Sequence, residues 1–174
     1  MLRRSLILVG LVVALAAAGC GSKSSSSTSV TPATTTTVHF AKTKFVFHTA
    51  LAFGAFHHFI YEPIKAGDLR HPLLHKFTLV KMGLAGLFVY HELKLAAQDV
   101  RASKLLSTLF APLIALDNKV KALGASIGAG HATSASADSL NSDVASLSSA
   151  AASKGQSISE AVPSTSQLAT GVAP

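Results

Sequence analysis

Histidine is the residue type most able to do chemistry in this chain of 174 residues, and seven of its eight copies fall in one stretch: His39, His48, His57, His58, His71, His75 and His91. Neutral imidazole binds zinc, copper, nickel and haem iron, so the enrichment raises the question of a metal or haem site. His71 and His75 have the four-residue spacing that puts two ligands on one helix face, yet Pro72 favours a first helical position and leaves His71 at the cap. No HExxH occurs, and a closed site would draw further ligands from other elements. His57 and His58 are neighbours, about 100° apart around a helix, and face different directions. His58 can pair with Glu62 and His57 with Tyr61. FHHFIYEP, residues 56–63, reads as a final helical turn in which histidines favour the macrodipole and Pro63 marks the end. His91 falls within an apolar stripe, where a core histidine bonded to a neighbour is the commoner outcome. His57, His58, His71, His75 and His91 are thus the metal candidates, set against the leading expectation of structural or solvated histidines with no cofactor.

A second chemical pattern is GASIG, residues 124–128, which matches GxSxG around Ser126. A nucleophile elbow needs a strand before it and a helix after it. A leucine-striped segment precedes this one, so GASIGAGHATSASA is expected to be a flexible connection. Asp117 and His131 are near in sequence without triad geometry. No phosphate-binding loop is present, and the chain is not expected to be an enzyme.

The elements that would position these residues follow from apolar periodicity. Leu73, Phe77, Val80, Leu84, Leu87, His91 and Leu95 recur at steps of three and four and predict one face of a long helix. Pro72 is its expected first residue, with Asp68 or His71 as N-cap. Leu106, Leu109, Leu113, Leu116, Val120 and Leu123 predict the next helix, with Ser103 as N-cap, Gly124 as C-cap and a kink at Pro112. A break is expected near Val100 to Ser103, with one continuous helix as the alternative. Leu140, Val144, Leu147 and Ala151 give a serine-rich helix that depends on docking.

Upstream, residues 45–61 are apolar nearly all round, so most faces of that helix must be covered, at the centre of a bundle or in lipid. Phe45, Phe53, Phe56 and Phe59 are core by default, or a surface for a lipid or partner helix. Gly54 with Ala50, and Gly83 with Gly86, offer small surfaces for close helix approach. Residues 45–61 and 77–90 are both short for a span of roughly 20 residues. The expected fold is an all-α antiparallel bundle of about four helices over residues 39–154, with a membrane-embedded helical hairpin as an alternative.

Composition bounds the partners. Apolar residues make up 49% of the chain and charged ones 13%, about half the usual charged share. The net charge of +7 falls to +5 without Arg3 and Arg4, since 13 basic residues then face 8 acidic ones. That surplus points weakly to anionic lipid or cell-wall polymer and gives no case for nucleic acid.

The N-terminus has the tripartite form of an export signal. Arg3 and Arg4 are basic, Leu6 to Leu15 apolar, and Ala16 to Gly19 small. Leu15, Ala17, Ala18, Gly19 and Cys20 resemble the lipobox of bacterial lipoproteins, with Ala17 where leucine is commonest. That resemblance implies cleavage after residue 19, lipidation of Cys20 (palmitate-type acylation) and attachment to the bacterial cell membrane. Two acyl chains hold where one is marginal. Cys20 is the only cysteine, so the mature chain can form no internal disulfide.

Residues 20–38 are rich in Ser and Thr and read as a disordered tether, and residues 155–174 as a disordered tail. The leading expectation is an exported lipoprotein with a helical binding or structural domain at the cell envelope, its partner an envelope protein or lipid. A histidine-based metal or haem protein is the alternative.

Overall fold

Every stripe of apolar residues in this chain demands a covering surface, and four antiparallel helices supply most of it. The computed structural model describes residues 33–71 and 73–171, with side chains from residue 40 onward. The export signal, the Leu15 to Cys20 motif and most of the tether lie outside the described residues. Helix α1 spans Ala33–Phe56, so residues 33–38, read as linker, begin a helix. It continues through a π-helical turn, His57–Tyr61, into α2, Glu62–Ala66. Helix α3 is Lys76–Arg101, α4 Phe110–Gly128, α5 Ser134–Ala152 and α6 Thr165–Thr170. Among the described residues there is no strand, and the expected all-α antiparallel bundle is the architecture found.

The antiparallel order shows in its cross-links. His48 of α1 meets Glu92 of α3, and Arg101 near the end of α3 stacks on Phe110 at the start of α4. Lys121 of α4 lies over Tyr90 of α3, Lys119 of α4 pairs with Asp143 of α5, and Asp138 of α5 binds Tyr61 and Lys65.

Pro63 does not end the first helix, contrary to the sequence reading. Proline cannot donate to the carbonyl four residues back and crowds it. The preceding turn widens to suit, with the Glu62 N–H donating to the His57 carbonyl five residues back. The helix stops at Gly67, whose φ of 86° is left-handed and suits glycine.

The expected stripe on α3 is the wrong face. Met82, Ala85, Phe88, Val89, Leu93, Ala96 and Val100 are buried, whereas Phe77, Val80 and Leu87 are exposed. Residues 77–90 are apolar on more than one side, so periodicity alone does not select the inner face. The helix also starts at Lys76 rather than at Pro72, with His75 at the cap position in place of Asp68 or His71.

The stripe on α4 is buried from Leu106 to Leu123 as expected. The break after α3 falls at Ala102, ruling out a continuous helix. Three expected details of α4 differ. Ser103 is buried in the connection, not an N-cap, and Pro112 sits in the first turn of α4, where a missing N–H costs nothing. Gly124 lies inside the helix, which runs four residues further. On α5, Leu140, Val144, Leu147 and Ala151 are buried as predicted. Its serines turn back on the helix, Ser142, Ser146 and Ser149 each donating to the carbonyl four residues earlier.

The tail expected to be disordered is instead packed on the bundle. Residues 156–164 cross α1 as an extended strap, and the Ala161 N–H donates to the Ala50 carbonyl at 3.0 Å. Gly54 makes the crossing possible, because a Cβ there would lie 2.2 Å from the Ala161 carbonyl oxygen. Ala50 and Gly54 are therefore a close-approach surface, but for the strap rather than for a helix. Leu168 of α6 is then buried in the common core, with Ile158 packed against it. The strap explains how an almost uniformly apolar α1 is covered on so many sides.

Candidate functional site

A groove lies between α3 and α4, lined also by Ile60 of the π-helical turn and Leu140 of α5, both buried. Its volume is about 530 Å3. That lies within the range of about 300–1,000 Å3 common for small-molecule pockets. Met82, Leu87, Val120, Leu123 and Ile127 make its surface apolar.

Three glycines open it: Gly83 and Gly86 from α3, and Gly124 from α4. A Cβ added to any of them would meet nothing within 4 Å. Nor does any of the three have a left-handed φ. Glycine inside a helix is disfavoured by about 1 kcal/mol relative to alanine, and here neither backbone conformation nor close packing calls for it. What the missing side chains leave is space in the groove. The sequence reading of Gly83 and Gly86 as helix contact surfaces is thereby corrected.

Polar groups gather at one rim. Lys121 Nζ lies 4.5 Å from the centre of the Tyr90 ring and donates to Asp117 Oδ2 at 2.8 Å. The hydrogen bond to Asp117 holds the Lys121 ammonium above the usual lysine range, so it remains charged at neutral pH. Tyr90 also lines a smaller adjoining recess of about 250 Å3, with Lys94, Arg101 and Asp117. The arrangement can hold an apolar body while a cation faces its outer end. The sequence reading named none of these residues as a site; the one available signal was three helix-interior glycines beside leucines.

The histidine candidates are not brought together. His57 Nδ1 meets Glu160 of the strap at 2.9 Å, His58 meets Glu62 at 3.2 Å, and His75 lies 3.7 Å from Asp68. The first pairing is with the strap rather than with Tyr61, although the Tyr61 ring stands edge-on to His57. His71 and His91 are exposed on their own elements, and His91 is not a core residue. Among the described residues no group of three or more His, Cys, Asp or Glu side chains could hold a metal ion.

Partly buried His48 reaches the core instead: its Nδ1 lies 2.6 Å from the fully buried Glu92 and its Nε2 lies 3.9 Å from Asp99. Burial pushes the Asp99 carboxyl up, against the pull of His48 and Lys44.

Ser126, at the centre of GASIG, is helical, and its hydroxyl donates to the Ala122 carbonyl at 2.9 Å. That is not the geometry of an elbow. No described helix is long and apolar enough to cross a membrane. No family model, curated protein or solved structure matches the chain.

Proposed function

We propose that the chain is an exported lipoprotein, acylated on Cys20, whose helical domain binds an acyl chain in the groove between α3 and α4. The glycine-walled groove carries this reading: three positions give up helix stability and leave an apolar space with a lysine at its rim. The signal-like N-terminus and the sequence around Cys20 support the cell envelope as the location, where acyl chains are abundant. The dispersed histidines lend a metal or haem site less support.

Two measurements test the two halves separately. Mass spectrometry of the mature N-terminus should find a lipid-modified Cys20, and an unmodified Cys20 or an intact Met1 would refute the anchor. Titration with a long-chain fluorescent fatty acid should saturate, and Gly86→Leu should weaken binding by about tenfold or more by filling the groove. Gly86→Ala serves as the folding control. Equal binding by the parent and by Gly86→Leu would refute the groove as the ligand site.

A further inference from the structure

Beyond the groove, the outer face of α3 continues as a line of apolar side chains that nothing in the bundle covers. Leu73, Leu74, Phe77, Val80 and Leu87 are between 61% and 86% exposed. Leu73 and Leu74 stand in the turn before α3, while Phe77, Val80 and Leu87 follow at steps of three and seven along one helix face. Single exposed leucines are ordinary, but five large, strongly exposed apolar side chains along one turn and helix face mark a surface that meets something apolar.

The charges around this run are of one sign. Arg70, Lys76 and Lys81 are exposed, and none takes part in an ion pair among the described residues. No Asp or Glu occurs from Leu69 to His91. Of the acids that bound this span, Asp68 is held beside His75 and Glu92 is fully buried against His48. An apolar tip with three unpaired cations nearby, and with Asp68 as its one neighbouring carboxylate held beside His75, complements the surface of an anionic bilayer, where apolar side chains enter the headgroup boundary and cations meet phosphate.

We infer that Leu73, Leu74, Phe77 and Val80 insert into a bilayer containing anionic phospholipid, with Arg70, Lys76 and Lys81 on its headgroups. The contact requires neither an acylated Cys20 nor an occupied groove, so it stands or falls apart from the proposed function. Leu87, at the far end of the same helix face, is also a wall of the groove.

The chain contains no tryptophan, which makes a single-tryptophan reporter clean. Phe77→Trp in the full chain replaces a side chain that is 86% exposed, so the core is untouched. On vesicles of phosphatidylcholine and phosphatidylglycerol its emission should shift to the blue and be quenched by brominated acyl chains. A second reporter, Phe47→Trp on α1, should keep its emission. Adding Lys76→Gln and Lys81→Gln to the first reporter should lower the ratio of inserted to water-exposed reporter about fivefold for each cation removed, with helicity unchanged.

Water-like emission from Phe77→Trp in the presence of vesicles would overturn the inference. So would equal shifts at both reporters, or an equal blue shift of the first reporter on vesicles of phosphatidylcholine alone. A blue shift without vesicles that grows with protein concentration would assign the face to a second copy of the chain instead.

Discussion

His48 Nδ1 and Glu92 Oε2 lie 2.6 Å apart, joining α1 to α3 at a carboxylate with no solvent exposure. The other carboxylate oxygen, Oε1, has no hydrogen-bond partner, so His48 carries most of the compensation for burying this group. Removing one member of such a pair leaves the other stranded, at a cost of about 3–5 kcal/mol. His48→Ala is expected to lose stability in that range by urea denaturation, while the apolar double variant His48→Leu/Glu92→Met recovers most of it. A loss below about 1 kcal/mol in His48→Ala would show that the contact carries little.

The strap over α1 depends on one missing Cβ. Gly54→Ala places a methyl group against backbone rather than against a flexible side chain, so the strap must lift. The Ala161 to Ala50 hydrogen bond, of about 1 kcal/mol, and the His57 to Glu160 contact should go together. Limited proteolysis should then cut between Gly155 and Ser164 in the variant while sparing the parent.

The groove glycines should respond in the opposite sense. Alanine at position 83, 86 or 124 meets open space, so Gly83→Ala, Gly86→Ala and Gly124→Ala should each raise stability by about 0.8–1.0 kcal/mol through helix propensity alone. Thermal denaturation of the three variants measures this directly, and a loss of stability in any of them would mean that its glycine has a packing role.

Acid should loosen the contact between the first helix and α5. Hydrogen bonds from Lys65 and Tyr61 hold the Asp138 carboxyl below the usual aspartate range. The native state therefore binds fewer protons here than the unfolded chain does. The resulting stability is complete above the unfolded value of about 3.9 and is lost as pH falls through the lower native value. Asp138→Asn should have a lower Tm than the parent at pH 6, with the difference closing as pH drops below about 4. Asp99 has the opposite sign. Its raised carboxyl favours folding below about pH 3.9 and opposes it as pH rises through the native value, so Asp99→Asn should gain Tm at pH 7 but not at pH 3.

The helices could be read from sequence wherever one face alone was apolar. On α5, serine, alanine, Asp138, Asn141 and Asp143 occupy the other directions, leaving Leu140, Val144, Leu147 and Ala151 a single way to turn. On α3 the pattern failed because two stripes interleave, and the buried one includes Glu92, which a hydropathy pattern rejects. The strap was illegible for a related reason: Ile158, Pro163 and Leu168 anchor it at irregular spacing, and its docking point is the absence of a side chain at Gly54. The groove was hidden similarly, since space left by Gly83, Gly86 and Gly124 exists only once α3 and α4 face each other.

The π-helical turn at His57–Tyr61 acts as a one-residue insertion, advancing everything after it by about 100° around the helix axis. Tyr61 and Lys65 reach Asp138 in that rotated frame. Deleting a single residue within the turn would restore ordinary winding, force Pro63 against a regular α-helical carbonyl and swing both side chains off α5. The grip of the first helix on α5 is thus set by where the chain miscounts its own turns.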